Sequence, residues 1–250
     1  MKVLGIIPSR FSSGRLPGKP LLDIMGKTMI QRVYEQAKMS KFLNEVIIAT
    51  DDHRIVDCVN SFYGNVVITS NEHNSGTLRC AELAKKYTDY DVVINIQGDE
   101  PFISPFQIDL LVSAFDDKKI QIATLAKRIF DHKTLSDPNS PKLVLNKESE
   151  AIYFSRYPIP YIRDMENQSL SLQEYTFYKH VGTYGYCRDV LLDISNLESS
   201  CLEDAEKLEQ LCWLENNFKI KVKLTESETL SIDTENDYKK ALLFAKEMNL

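Results

Sequence analysis

Two arginines and a lysine crowd the stretch Pro8-Ser9-Arg10-Phe11-Ser12-Ser13-Gly14-Arg15-Leu16-Pro17-Gly18-Lys19-Pro20. Guanidinium forks match phosphate oxygens in pairs and an ammonium adds a compact charge, so Arg10, Arg15 and Lys19 suit a triphosphate. Gly14 and Gly18 let the backbone approach a ligand, while Pro17 and Pro20 stiffen the loop. The competing reading is a solvated turn with incidental charges. A second such stretch is Gln97-Gly98-Asp99-Glu100-Pro101. Asp99 suits magnesium, which takes one or two carboxylates and completes its shell with substrate phosphates. Otherwise Asp99 and Glu100 only start a helix near Pro105. Asp233-Thr234 offers a further carboxylate, and a helix cap is its equal alternative, because D-T-x-x-D also opens helices well.

Polar groups recur at two more places. Ser75 and Thr77 can donate to polar edges of a ligand, and the helix that follows them presents free amides to anions. His73 beside them reads as a polar surface residue. His180 and Tyr184 lie four apart in the strand-like run Lys179 to Tyr186, so both point to one face, while Tyr186 reads as core. Two decoys fail. Gly26-Lys27-Thr28 has the end of a P-loop, but Leu21 stands where the first glycine belongs. No G-x-G-x-x-G occurs, which removes the basis for a dinucleotide fold of the usual kind.

These residues need elements to position them. Lys2 to Ile7 reads as a buried strand that Ser, Gly and Pro then terminate, so the basic loop falls at a strand's carboxyl end, where open α/β sheets bind ligands. Met29, Ile30, Val33, Tyr34 and Ala37 recur at helical spacing, and Val46 to Ala49 makes a second buried strand. An amphipathic stretch from Arg54 to Phe62 leads through Gly64 to a strand at Val66 to Thr69. This alternation predicts a parallel sheet with right-handed crossovers. Asp51 or Asp52 reads as a helix cap sooner than as a ligand. Further strands are expected at 91–96 and 120–128, an exposed connection at 131–140, and a hairpin pair at 143–145 and 151–155. Residues 162–176 read as a polar, lid-like segment. A helix from about Leu202 to Asn216 is expected next, then strands at 220–224 and 230–232 and a closing helix from Asp237 to Met248.

With 250 residues and 43% hydrophobic content, the chain can bury a sizeable core, as one α/β domain or as one domain with a subsidiary lobe. No apolar run is long enough for a signal-peptide core or a membrane span, so a cytoplasmic protein without a membrane partner is expected. Five cysteines, odd in number and without C-x-x-C, argue against a disulfide framework or a zinc site. A net charge of −6 argues against nucleic acid as a partner, although the local basic cluster can still attract a small anion.

R-x-x-S-x-R-L-P-G-K-P after a first strand resembles the signature of sugar nucleotidyltransferases, most closely the 3-deoxy-manno-octulosonate (KDO) cytidylyltransferases. Gln97 to Pro101 matches the family's Q-G-D-E-P, Tyr153 to Pro160 resembles Y-F-S-R-x-x-I-P, Lys179 to Tyr186 resembles K-H-I-G-I-Y-G-Y, and Leu208 to Leu211 matches L-E-Q-L. The resemblance covers nearly the whole chain. It implies a mostly parallel Rossmann-like sheet of the nucleotide-diphospho-sugar transferase type with a smaller β-rich lobe. It implies a single domain with a nucleotide-binding part at about 1–130 and a sugar-acid-binding and dimerisation part at about 131–250. The implied reaction joins CTP and KDO to give CMP-KDO and pyrophosphate, for lipopolysaccharide biosynthesis, in a cytoplasmic homodimer.

By the same resemblance, Arg10, Arg15, Lys19, Asp99 and Asp233 carry catalysis, with magnesium on Asp99 and Asp233. Pro8, Ser9, Arg10, Ser75, Gly76, Thr77 and Arg79 bind the nucleotide. Gln97, Arg163, His180, Tyr184, Glu209 and Gln210 bind the sugar acid. Four departures stand out: Leu78 where the family has an acid, Cys212 where it has arginine, Pro141 for an apolar residue and Cys201 for a proline. The loss of both charges at 78 and 212 suggests a salt bridge replaced by apolar contact. The departures keep two alternatives open, a sister enzyme for a modified acid such as 8-amino-KDO and a nucleotide-binding paralogue with impaired catalysis.

Overall fold

The computed structural model describes residues 1–12, 16–163 and 171–248. Arg15 therefore lies outside the described residues, as do residues 164–170 of the lid-like segment. Strand β1 (Val3–Ser9) is buried on both faces, as its unbroken apolar run requires of a central parallel strand. A turn of 3-10 helix at Lys19–Leu21 and the ribbon β2 (Asp23–Ile24) and β3 (Lys27–Thr28) lead into α1 (Met29–Lys38), capped by Thr28. Then β4 (Glu45–Thr50), α2 (His53–Ser61), β5 (Val66–Ile68), α3 (Gly76–Lys86) and β6 (Val92–Asn95) complete the expected alternation.

After α4 (Pro105–Val112) come β7 (Ile122–Arg128), α5 (His132–Ser136), β8 (Lys142–Leu145) and β9 (Ala151–Ser155). They are followed by α6 (Ser171–Glu174), β10 (Tyr178–Cys187), α7 (Arg188–Ile194), α8 (Cys201–Glu206), α9 (Gln210–Glu215), β11 (Ile220–Leu224) and α10 (Glu235–Glu247). The main sheet runs β11-β7-β10-β6-β1-β4-β5, parallel except at β10, and the β8–β9 hairpin attaches to β10. Strands from both halves of the chain thus share one sheet.

Period-two alternation along β1 sorts the two layers. Leu4 and Ile6 pack with α3, α7 and α9, whereas Val3 and Ile7 pack with α1, α2 and α4. A third cluster joins Ile24 and Met29 to Ile232, Ala241 and Ala245, so α10 docks beside the β2–β3 ribbon. That contact brings the carboxyl-terminal part of the chain back to the basic loop. All five cysteines are free thiols, and among the described residues no helix is long and apolar enough to cross a membrane.

Three expectations need correction. The helix expected over 202–216 is two helices, because Lys207 between them takes the left-handed conformation (φ 51°, ψ 50°) and ends α8. Residues 230–232 are not a regular strand; Ile232 N instead donates to Asp99 O at 2.9 Å, tying this segment to the end of β6. The connection at 131–140 contains α5, capped by the Asp131 carboxylate. Asp52 caps α2, as expected of one member of the Asp51-Asp52 pair.

Candidate active site

Gly18, in the left-handed region at φ 72°, turns the basic loop so that Lys19 enters a short helical turn stiffened by Pro20. Lys19 Nζ donates to Asp99 Oδ2 at 2.7 Å and to Asp233 Oδ1 at 3.1 Å. It also donates to Ile232 O at 3.2 Å. Burial alone would lower the lysine's pKa, but the two carboxylates outweigh it and leave it raised. Neither aspartate serves as a helix cap. Thr234 caps α10 in a reciprocal pair with Asp237, and α4 begins at Ser104 and Pro105, beyond Asp99.

Asp99 reaches this position because Gly98 precedes it. A Cβ at Gly98 would stand 2.6 Å from the Pro8 carbonyl oxygen, so only glycine lets the end of β6 press against the end of β1. The result is a cavity of about 340 Å³ lined by Pro8, Ser9, Arg10, Lys19, Ser75, Gly76, Arg79, Asn95, Gln97, Asp99 and Asp233. The nucleotide residues expected from sequence converge there, apart from Thr77. Arg79 plays a second part in the packing. It is 1% exposed, and its guanidinium pairs with Asp51 at 2.9 Å and donates to the Thr69 hydroxyl.

A second cavity, about 380 Å³, adjoins the first and shares Gly76, Asn95, Gln97, Asp99 and Asp233 with it. Its other walls carry Thr77, Glu100, His180, Tyr184, Glu209 and Gln210. His180 and Tyr184 do share a face, with ring centroids 5.2 Å apart. A register shift in β10 between Val181 and Tyr184 accompanies the arrangement, and the Thr124 hydroxyl lies 3.0 Å from His180 Nε2. Burial pushes the His180 imidazole down to about 3, so at neutral pH it is an uncharged hydrogen-bonding group. Gln97 Nε2 donates to Gly182 O at 2.9 Å.

Glu209 enters this cavity from the break between α8 and α9. Its carboxylate accepts from Ser75 Oγ at 3.0 Å and Thr77 Oγ1 at 2.8 Å, so these hydroxyls tie the wall of the first cavity to that of the second. Burial raises the Glu209 pKa, and the two hydroxyl bonds partly offset that rise. Asn95 Oδ1, Glu100 Oε2 and Gln210 Nε2 are all buried and find no hydrogen-bond partner among the described residues. Unmet buried polar atoms are costly in a folded protein, and a polyhydroxylated ligand would satisfy them. Arg163 is exposed beside the undescribed segment 164–170 and lines neither cavity.

Sequence reasoning missed Arg156 and Glu100. Arg156 Nη2 donates to Lys207 O at 3.1 Å and Nη1 to Pro138 O at 2.9 Å, bracing the turn that delivers Glu209. Its place in Y-F-S-R was legible, but its partners lie too far along the chain for any local signal.

Two adjoining cavities that meet at paired carboxylates, beneath a glycine-bent basic loop on an α/β sheet, define a nucleotidyltransferase. A family model described as Cytidylyltransferase matches residues 4–222. A 3-deoxy-manno-octulosonate cytidylyltransferase of Parabacteroides distasonis is 55% identical, covering 98% of each chain. One of Bacteroides thetaiotaomicron is 50% identical over 98% of this chain and 99% of its own. A solved CMP:2-keto-3-deoxy-manno-octonic acid synthetase complexed with CTP superposes with a TM-score of 0.91 at 41% identity, covering 99% of this chain and all of that one. The chain belongs to the 3-deoxy-manno-octulosonate cytidylyltransferase family.

Proposed function

We propose that this protein joins CTP to 3-deoxy-manno-octulosonate, giving CMP-KDO and pyrophosphate for lipopolysaccharide biosynthesis. The observation that carries the reading is the meeting of the two cavities at Asp99 and Asp233. One cavity is edged by basic groups suited to a triphosphate, and the other is lined by buried polar atoms left unmet among the described residues, suited to a polyol acid. In this arrangement the acid's anomeric hydroxyl and the α-phosphorus are held across one junction, so positioning and charge neutralisation supply most of the rate. Lys19 and Arg10 hold the triphosphate and neutralise the departing pyrophosphate. Gln97, Gln210 and neutral His180 orient the acid by hydrogen bonds, and Glu209 couples its seat to the α3 N-terminus through Ser75 and Thr77.

The donor set at the junction is all oxygen, two carboxylates from different elements, and Lys19 already draws them onto one cation. That set fits magnesium, which needs one or two carboxylates and fills its remaining positions with water and phosphate. Asp99 and Asp233 would hold the ion. When bound it supplies Lewis-acid polarisation of the α-phosphate and lowers the pKa of the attacking hydroxyl. We also propose a cytoplasmic homodimer, with exposed Ile152, Tyr157 and Tyr161 at the hairpin side as its apolar contact, which sedimentation at two protein concentrations would test.

The test of function is pyrophosphate release across CTP, other nucleotides and a panel of sugar acids, with and without magnesium. Release confined to CTP with KDO is the expected result. Turnover confined to an amino-substituted acid would assign a sister enzyme. Tight CTP binding without turnover of any 2-keto-3-deoxy acid would overturn the enzymatic reading.

A further inference from the structure

Strand β10 carries more residues than its neighbour at one point. Val181 pairs with Leu125 and Tyr184 with Thr124, so Gly182 and Thr183 of β10 stand against the single peptide that joins Thr124 to Leu125 in β7. Such an irregularity takes carbonyls out of the ladder. Thr124, which is fully buried, answers for two of them, because its hydroxyl lies 2.9 Å from Thr183 O and 3.2 Å from Val181 O. The same oxygen lies 3.0 Å from His180 Nε2. These contacts share one proton, since a hydroxyl donates once and accepts twice, whereas a carbonyl oxygen can only accept. Were the proton turned to the imidazole, both carbonyls would face the hydroxyl oxygen with no hydrogen between them. The proton therefore belongs to the carbonyls, and Nε2–H donates to Thr124 Oγ1.

We propose that Thr124 is a positioning residue for the sugar acid, its hydroxyl holding His180 in the Nε2–H tautomer so that Nδ1 is left as an acceptor for a hydroxyl of the acid. The inference rests on the reading of function above and adds to it the direction of one hydrogen bond. An uncharged imidazole carries a single ring proton, so a donor at Nε2 means a bare Nδ1. His180 lines the acid cavity, and among the described residues its Nδ1 has no hydrogen-bond partner. The ring cannot easily turn to exchange its nitrogens, because Phe154 meets it edge-on and Tyr184 packs against it, each with centroids 5.2 Å away. Thr124 also steadies the irregular stretch whose Gly182 carbonyl accepts from Gln97 Nε2 at 2.9 Å. One buried hydroxyl thus supports two residues of the acid cavity. A purely structural role would be met by any side chain that fills the same space, but only a hydroxyl decides where the imidazole keeps its proton.

The tautomer is read without substrate, by nitrogen NMR of protein labelled at its four histidines, with the His180 signals identified by their loss in His180→Gln. The wild-type protein is expected to show His180 as one neutral tautomer with its proton on Nε2. Thr124→Val keeps the shape and removes the hydroxyl, so a second form with the proton on Nδ1 is expected, and Thr124→Ser is expected to restore the wild-type signals. In turnover, Thr124→Val should raise KM for the acid about tenfold while KM for CTP moves less than about twofold, and Thr124→Ser should recover most of the loss. Wild-type His180 protonated on Nδ1 overturns the proposal whether or not the variants fold. An unchanged tautomer in Thr124→Val, or equal rises in KM for acid and CTP, also overturns it, by assigning Thr124 to the sheet alone. The expected tautomers in a protein that turns over no sugar acid overturn the reading of function and leave the hold of Thr124 on His180 standing.

Discussion

Arg156 and Glu206 hold the ends of each other's elements. Arg156 Nε donates to the Glu206 carbonyl at 2.6 Å, closing the carboxyl end of α8, while the Glu206 carboxylate accepts from Arg156 N at 2.9 Å and Ser155 Oγ at 2.6 Å, closing the end of β9. Buried Lys142 adds a further tie, donating to Asp137 O at 2.9 Å and Arg156 O at 2.6 Å. The turn fixed this way is the one that breaks the helix before Glu209 and Gln210.

Arg156 is therefore expected to act as a positioning residue for the sugar acid. Arg156→Ala should raise KM for the acid by about ten- to a hundredfold, the size of effect that a displacement of about 1 Å produces, with CTP KM little changed. Arg156→Lys keeps the charge but not the fork, so it should recover only part of the loss. Steady-state kinetics alongside thermal melts would check this. Parallel loss of affinity for CTP and acid would show that Arg156 serves general folding instead.

The junction makes a separate demand. Because Thr234 caps α10, Asp233→Asn should leave the melting temperature within a few degrees of wild type, whereas turnover should fall and the magnesium requirement should rise, each more than about tenfold. Asp99→Asn should behave alike, since an amide is a weaker oxygen ligand. A magnesium titration of turnover reads the result. A drop in melting temperature with turnover intact would assign Asp233 to the helix terminus.

How far the sequence carried these conclusions depends on the distance over which each residue is held. The basic loop and Asp99 were legible because local rules place them: a strand ended by Ser, Gly and Pro, and a glycine where two strand ends touch. The cap-or-ligand ambiguity at Asp233 could have been narrowed, since Thr234 and Asp237 spell a capping pair one residue later. The break at Lys207 could not. A lysine takes the left-handed conformation at some cost, and what holds it there comes from Arg156, on another element. Glu100 stayed hidden beside Asp99 for a similar reason, because its burial and its unmet Oε2 come from elements far along the chain that line the second cavity with it.

His180 gives a prediction in pH. An imidazole in the unfolded chain titrates near 6.5, and burial pushes the folded one to about 3. Above pH 6.5 both states are neutral and the group has no effect on stability. As pH falls from 6.5 toward 3 the unfolded chain takes up a proton that the folded chain refuses, so stability is lost at up to about 1.4 kcal/mol per pH unit. Between pH 7.5 and 5 the wild-type protein should lose roughly 2 kcal/mol more than His180→Gln. Urea unfolding at the two pH values measures the difference. Identical losses would mean that His180 charges freely in the fold, through water reaching the ring.

The last prediction concerns Leu78 and Cys212, where the family resemblance implies an acid and an arginine. The two residues line one cavity of about 400 Å³ between α3, α7 and α9. The cavity also holds Glu203, Asp204 and Glu209 against a single lysine, Lys207. This makes the two single substitutions unequal. Leu78→Asp adds a carboxylate to an acidic, half-buried space and should cost about 1 to 3 kcal/mol. Cys212→Arg replaces a buried thiol, whose Sγ donates to Glu198 O at 3.2 Å, but its guanidinium finds carboxylates waiting and should cost less. Together they should show a favourable coupling of about 0.5 to 3 kcal/mol in a double-mutant cycle of urea unfolding, because Asp and Arg then compensate each other in a site that water only partly screens. Additivity within about 0.5 kcal/mol would show that the two departures arose independently. In that case the missing acid at Leu78 should instead be felt next door, as altered CTP affinity transmitted through Ser75, which caps α3 at Leu78 N and bonds Glu209.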